Sequence, residues 1–180
     1  MIAPALNTER LTLRAHTLED FSDVAALWGD ADVTRLISPR PATEEESWAR
    51  LLRYAGFWSL LDIGYWVVRE RESGRFVGEV GLAHFHRDIT PSLDGSPEAG
   101  WIVATWAQGR GFATEALQAI LGWHDTRLWS ESEGAARIVC MIAPTNAASL
   151  RVAAKCGFTE HARGVYKEEE TLILERVAKR

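Results

Sequence analysis

Polar and apolar residues alternate through Arg10-Leu11-Thr12-Leu13-Arg14, which predicts a first strand. Thr17-Leu18-Glu19-Asp20 then has the Ser/Thr-x-x-acid form of a helix start. Phe21, Val24, Ala25 and Trp28 follow at i, i+3, i+4 and i+7, one face of a helix. Thr43-Glu44-Glu45-Glu46 is a full capping box, and Trp48, Leu51, Leu52 and Ala55 repeat the helical spacing behind it. From residue 64 the period shortens to that of strands. Tyr65 to Arg69 and Phe76 to Phe85 are joined by the turn signal Glu72-Ser73-Gly74-Arg75. Residues 88–97 carry two prolines, a glycine and two serines and read as a loop, after which Glu98 to Val103 reads as a strand. A glycine-rich turn at 108–111 opens a long helix to about Trp129, and Arg137 to Ile142 is an apolar run of strand type. Asn146 caps a further helix that Gly157 ends at C′. Strands near Phe158–Val165 and Thr171–Arg176 complete the chain. The order is α/β with a mixed sheet.

No repeat, low-complexity segment or flexible linker divides the 180 residues, so residues 1–180 are expected to form a single domain. At 47 % hydrophobic and 25 % charged residues the chain has the composition of a globular protein. That length buries roughly 70 % of the unfolded surface, enough for a core without disulfides or metal. No apolar run approaches the roughly 18 residues that cross a bilayer, and Met1-Ile2-Ala3-Pro4 has no basic or apolar leader character. Cys140 and Cys156 suit a reducing compartment, so the expected location is the cytoplasm, and no Cys/His cluster has zinc spacing. The net charge of −5, with Lys and Arg scattered, argues against nucleic-acid binding and mildly favours cationic partners such as amines.

The segment that carries chemistry is Gln108-Gly109-Arg110-Gly111-Phe112-Ala113, between a predicted strand and a predicted helix. Glycines leave the backbone bare, so successive N–H groups can point at an anion. The helix behind adds four unpaired N–H groups and the positive end of its dipole. This is a phosphate cradle on physical grounds, or else a tight turn without a ligand. GxxxxGK[ST] is absent, and Thr114 stands where a dinucleotide fingerprint needs its third Gly or Ala. A nicotinamide-dependent oxidoreductase is therefore a minor reading.

Gln108, Gly111 and Ala113 match Gln/Arg-x-x-Gly-x-Gly/Ala, and the run Gly111-Phe112-Ala113-Thr114-Glu115-Ala116 has the form G-[YF]-A-T-E-A. On these motifs the chain resembles the GNAT superfamily of N-acetyltransferases, in the branch similar to ribosomal-protein N-terminal acetyltransferases. Thr8-Glu9-Arg10-Leu11-Thr12-Leu13-Arg14, Glu98-Ala99-Gly100-Trp101, and Asn146-Ala147-Ala148-Ser149 through Cys156-Gly157-Phe158 are similar to three other segments of that branch, in order. The resemblance spans residues 7–176. It implies a mostly antiparallel central sheet of about seven strands with flanking helices, whose fourth and fifth strands splay in a V that receives acetyl-CoA.

The resemblance further implies that the pyrophosphate of acetyl-CoA sits on the N–H groups of Gln108, Gly109, Arg110, Gly111, Phe112 and Ala113, with Thr114 completing the motif. The pantetheine would pair like a strand with Trp101, Ile102 and Val103. An acceptor amine would attack the thioester directly, so the enzyme needs no nucleophile and no metal. The acceptor is a protein N-terminus or a small-molecule amine, and the molecule is a monomer or a homodimer. Asn146 would hold the pantetheine arm and Ser149 would reach the sulfur; Asn146 also suits the N-cap alone. Many relatives place a Tyr acid near this helix, but no Tyr occurs between Tyr65 and Tyr166, so Tyr166 serves only if the chain returns. Glu98 is the first candidate base, directly or through water, with Glu79, His84 and His86 as alternatives. Strict alternation puts His84 and His86 on one face and Glu79 on the other. Arg110 and Arg151 are candidates for CoA phosphates. Trp48, Phe57, Trp58 and Trp66 are core, or line an acceptor pocket or a dimer face. The rival from another class is an acyl-CoA-binding sensor or structural module that has lost turnover.

Overall fold

The computed structural model describes residues 2–93, 95–131 and 137–178. Asp94, in the expected loop, lies outside the described residues. The strands are β1 (Leu6–Asn7), β2 (Leu11–Arg14), β3 (Tyr65–Glu70), β4 (Phe76–Ala83), β5 (Glu98–Val103), β6 (Arg137–Ile142), β7 (Thr159–Tyr166) and β8 (Glu169–Val177). The helices are α1 (Phe21–Gly29), α2 (Ala31–Thr34), α3 (Glu44–Leu61), α4 (Phe112–Glu131) and α5 (Ala147–Lys155). All eight strands join one sheet in the order β1-β2-β3-β4-β5-β6-β8-β7. Every pairing is antiparallel except that of β5 with β6.

The count is eight rather than about seven because Leu6–Asn7 folds back on Leu13 and Thr12. A two-residue strand leaves no alternation to read. The expected fourth and fifth strands are therefore β5 and β6. Strand β4 stops at Ala83, two residues short of the expected Phe85, and His86 has a positive φ of 46°. His84 and His86 thus follow the strand, where alternation no longer fixes their faces.

The sheet buries both faces. Trp66, Val80, Leu82 and Ala99 pack under Phe112, Ala116, Leu117 and Ile120 of α4, and Ile138, Cys140 and Ile142 join the same core with Ala153 of α5. On the other face Val67, Phe76 and Ile102 meet Val24, Leu27 and Trp28 of α1 and Leu51 of α3. Beside them Ile89 and Leu93 of the β4–β5 loop cover Val139 and Ile173.

The capping box of α3 forms: Glu46 N donates to Thr43 Oγ1 at 3.2 Å and Thr43 N donates to Glu46 Oε2 at 2.8 Å. The buried face of that helix is Ser47, Leu51, Tyr54 and Trp58, whereas Trp48 and Leu52 are 40 % and 48 % exposed. The buried face is thus turned from the expected stripe: Leu51 is common to both, and Tyr54 and Trp58 are buried in place of Trp48, Leu52 and Ala55. Trp58 and Trp66 are core, edge-on to each other at 4.5 Å and both against Trp123. At the start of α1 the chain makes one 3₁₀ turn, Leu18–Asp20, and the carboxylate of Asp20 is fully buried. It accepts from Thr17 N at 2.9 Å, Arg14 Nη2 at 2.6 Å and Arg69 Nη2 at 2.8 Å. Among the described residues no helix is long and apolar enough to cross a membrane, and no group of His, Cys, Asp or Glu could hold a metal ion.

Candidate active site

Strands β5 and β6 run parallel but share one register pair, Glu98 with Val139, reinforced by Val139 N donating to Pro97 O at 3.0 Å. Beyond it Ala99 to Val103 pair only with β4, and Cys140 to Ile142 only with β8. The two strands therefore part toward their C-terminal ends, leaving one edge of each open. Two helix N-termini follow those open ends: α4 after the turn at 108–111, and α5 after Asn146.

The turn is shaped by glycine. Gly109 and Gly111 have φ of 74° and 82°, in the left-handed region that side chains disfavour. A Cβ on Gly109 would meet nothing within 4 Å, so open space lies above it. The first ladder bond of α4 runs from Glu115 N to Gly111 O at 3.0 Å, so the N–H groups of Phe112, Ala113 and Thr114 precede the ladder. Gln108 Nε2 donates to Val103 O at 3.5 Å, tying the turn to the end of β5. Arg110 pairs with Glu70 at 3.1 Å and lies over the rings of Phe112 and Trp106 at 4.7 and 5.2 Å. Phe112 is core, so only its N–H can serve a ligand, and Ile102 is likewise buried against α1. Trp101 and Val103 are partly buried on the α4 face.

A brace holds this turn. Glu115 accepts from Thr8 Oγ1 at 2.5 Å, from Arg10 N at 3.0 Å and from Arg10 Nε at 2.7 Å. Arg10 Nη1 in turn donates to Arg110 O at 3.0 Å. Burial would raise the Glu115 carboxyl, but the bonds from Thr8 and Arg10 outweigh it and hold it below the usual range. The Glu of the G-F-A-T-E-A run thus ties the chain's opening segment to the first turn of α4. Sequence reading quoted both segments but had no means of pairing them.

At the other helix Asn146 Oδ1 accepts from Ser149 N at 3.1 Å, a true N-cap. Ser149 is partly buried on the first turn, and Arg151 is exposed.

At the closed end of the parting Glu98 is 7 % exposed, and both its oxygens accept from Arg87, at 2.5 and 2.7 Å. Arg87 Nη1 also donates to the Tyr166 phenol oxygen at 2.9 Å, and the guanidinium lies over the Phe85 ring at 4.5 Å. Burial would lower Arg87's ionisation range, but the bonds to Glu98 raise it, so the group stays charged. The chain does return: β7 brings Tyr166 to this cluster, with Arg87 between it and Glu98. His84, His86, Arg87, Leu93, Ser96 and Glu98 line a shallow pocket there. Burial, then the charge of His86, push His84 below its ordinary range. Arg87 escaped sequence reading. The antiparallel register Ala83 with Glu98 brings it close, and that register is invisible without the sheet.

Glu79 lies elsewhere, fully buried on the α1 face, accepting from Trp28 Nε1 at 2.7 Å and 2.7 Å from His16 Nε2. Nearby Tyr54 and Tyr65 stack with their rings 4.4 Å apart and parallel to within 4°.

Residues 10–159 match the family model of the acetyltransferase (GNAT) domain. An uncharacterized N-acetyltransferase, p20, from Bacillus licheniformis is 26 % identical over 148 residues, 82 % of this chain and 78 % of that protein. Among solved structures, one described as a GnaT-family acetyltransferase from Bordetella pertussis has a TM-score of 0.81 at 33 % identity, covering 97 % of this chain and 99 % of that one. The Vibrio cholerae spermidine N-acetyltransferase, solved with CoA and spermine, has a TM-score of 0.71 at 20 % identity, covering 94 % and 96 %. A family model matched across most of the sheet, a structural likeness over nearly the whole chain, and parted parallel strands ending at a glycine turn place this protein in the GNAT acetyltransferase family.

Proposed function

We propose that the protein transfers the acetyl group of acetyl-CoA to a primary amine, a protein N-terminal α-amine or a small-molecule amine. The observation that carries this reading is the parting of β5 from β6 with the N-terminus of α4 at its open end. One edge of β5 is free over Trp101, Ile102 and Val103, which suits the amide-bearing pantetheine arm. The N–H groups from Gly109 to Thr114, with Gln108 anchoring the turn, suit the pyrophosphate. Asn146 would add its amide N–H₂, since only its oxygen is engaged in the cap.

The nitrogen of the amine attacks the thioester carbonyl carbon, the C–S bond breaks, and CoA leaves as thiolate. The ammonium proton goes to a base, and the thiolate takes a proton or a hydrogen bond. An α-amine ionises at about 7.7–8.0, so a modest acceptor suffices. Glu98 fills that role through a water: Arg87 occupies part of the carboxylate's four lone-pair sites and leaves the rest. Ser149 supplies the hydroxyl toward sulfur. The branch similar to ribosomal-protein acetyltransferases, and a cytoplasmic setting, belong to this same proposal.

The test is release of free thiol from acetyl-CoA in the presence of a polyamine, an alanine-initiated peptide and a panel of small amines. Amine-dependent release supports transfer. Saturable acetyl-CoA binding with no release by any amine would favour the module without turnover.

A further inference from the structure

Tyr65, Gly81 and Gly100 form one row across three strands: Tyr65 of β3 pairs with Gly81 of β4, which pairs with Gly100 of β5. Glycine weakens a strand interior, so two in one row need a reason. The reason is the tyrosine. A Cβ on Gly81 would meet backbone first, Tyr65 Cα at 2.4 Å and Gly64 O at 2.5 Å, and then the Tyr65 ring at Cγ, 2.6 Å, whereas a Cβ on Gly100 would stand 2.0 Å from the phenol oxygen itself. The two glycines are a bare floor across which the ring lies flat, crossing β4 so that its hydroxyl rests on β5. It rests two residues past Glu98, where pairing with β6 ends and the strands part. Tyr54 covers the ring from above as the stacked partner. Tyr65 is 6 % exposed as a residue, and its hydroxyl makes no hydrogen bond among the described residues while not being one of the fully buried unpartnered atoms, so it is open to a neighbour at the cleft.

Resting on the acetyl-transfer reading above, we propose that Tyr65 is a catalytic residue whose hydroxyl donates a hydrogen bond to the thioester's carbonyl oxygen as negative charge develops there. Burial, then the neighbouring Tyr54 and the charge of Glu98, raise its ionisation well above the ordinary phenol range. The phenol therefore keeps its proton throughout and acts as a fixed donor rather than as an acid. A preorganised donor in a water-poor site stabilises an oxyanion without reorganising. The thiolate's proton comes from elsewhere, and the balance of the transfer is unchanged.

Slow hydrolysis of acetyl-CoA without amine tests this with no need to know the acceptor. Water attacks the same carbonyl carbon, and the same oxygen becomes charged. Tyr65→Phe keeps the ring on its glycine floor and removes only the hydroxyl. The expected result is a fall in kcat of about 100-fold, with acetyl-CoA affinity and thermal midpoint preserved and the same factor at neutral pH and at about pH 9. Tyr54→Phe is the control, which removes a second buried phenol while keeping the ring stacked on Tyr65, and it should keep kcat within about twofold. Equal rates for wild type and Tyr65→Phe overturn the role of Tyr65 while leaving acetyl transfer standing. An equal fall in both variants assigns the loss to packing and also overturns it. A wild-type protein that neither binds nor cleaves acetyl-CoA overturns both readings.

Discussion

Ser149 stands on the first turn of α5 with its backbone N–H committed to the Asn146 cap. Its hydroxyl has no hydrogen-bond partner among the described residues, so its removal leaves the cap intact. Ser149→Ala should lower kcat about tenfold or more while changing acetyl-CoA affinity little, as for an interaction made mainly in the transition state. Steady-state kinetics beside a binding titration read this directly. A matching loss in both would move Ser149 to a role in holding the cofactor. At this scale the sequence is legible where one residue's conformation is local. The glycines of the cradle, the Asn146 cap and Gly157 in the left-handed region after α5 are all readable from neighbours a few positions away. What is not legible is any partner far along the chain. Arg87 on Glu98, Glu115 on Arg10 and the Tyr65 ring on Gly100 each depend on strand register or helix docking, which no local pattern carries.

At the scale of elements, α5 combines two duties at one residue. Asn146 caps the helix through its oxygen, and in the proposed complex its N–H₂ would be left for the pantetheine arm. Asn146→Ser keeps a good cap and removes the amide, whereas Asn146→Ala removes both. The expected outcome is that Asn146→Ser retains the thermal midpoint but weakens acetyl-CoA, while Asn146→Ala also costs about 1 kcal/mol of stability. Thermal melts with and without acetyl-CoA separate the two. Most element types and their order were legible from local pattern: alternation for β2, the capping box for α3, the apolar run for β6. The misses have physical causes. β1 is too short to alternate, β4 yields to a loop before His84, and α3 buries Tyr54 and Trp58 while Trp48 of the expected stripe stays 40 % exposed. The parting of β5 from β6 was expected from resemblance alone; it is a property of two strands' relative direction, which neither strand's residues encode separately.

For the whole molecule, both faces of the sheet must stay covered for the parting to hold. The buried carboxylate of Asp20 pins β2, β3 and α1 together through Arg14, Thr17 and Arg69. Burial disfavours its charge, but those bonds outweigh burial and hold its ionisation well below the usual carboxylate range. A carboxyl lowered in the folded state stabilises fully above its unfolded value of about 3.9, and that stability is lost as pH falls toward the folded value. Asp20→Asn should therefore cost about 3 kcal/mol at neutral pH and flatten the acid limb of stability below about pH 4. Denaturant melts from pH 3 to pH 7 measure it, and parallel curves for both proteins would remove Asp20 from that role. The central claim is that the turn at 108–111 and the start of α4 cradle the pyrophosphate of acetyl-CoA. Its most direct test is a calorimetric titration of acetyl-CoA into the wild-type protein and into folded Gly111→Asp, with NADH as control ligand. Gly111 has φ of 82°, so a side chain there is strained, and a carboxylate would add negative charge to the proposed phosphate cradle. Micromolar binding of acetyl-CoA alone by the wild type, weakened about 100-fold or more in Gly111→Asp, is the expected result. No binding by the wild type, or equal binding by both, would contradict it.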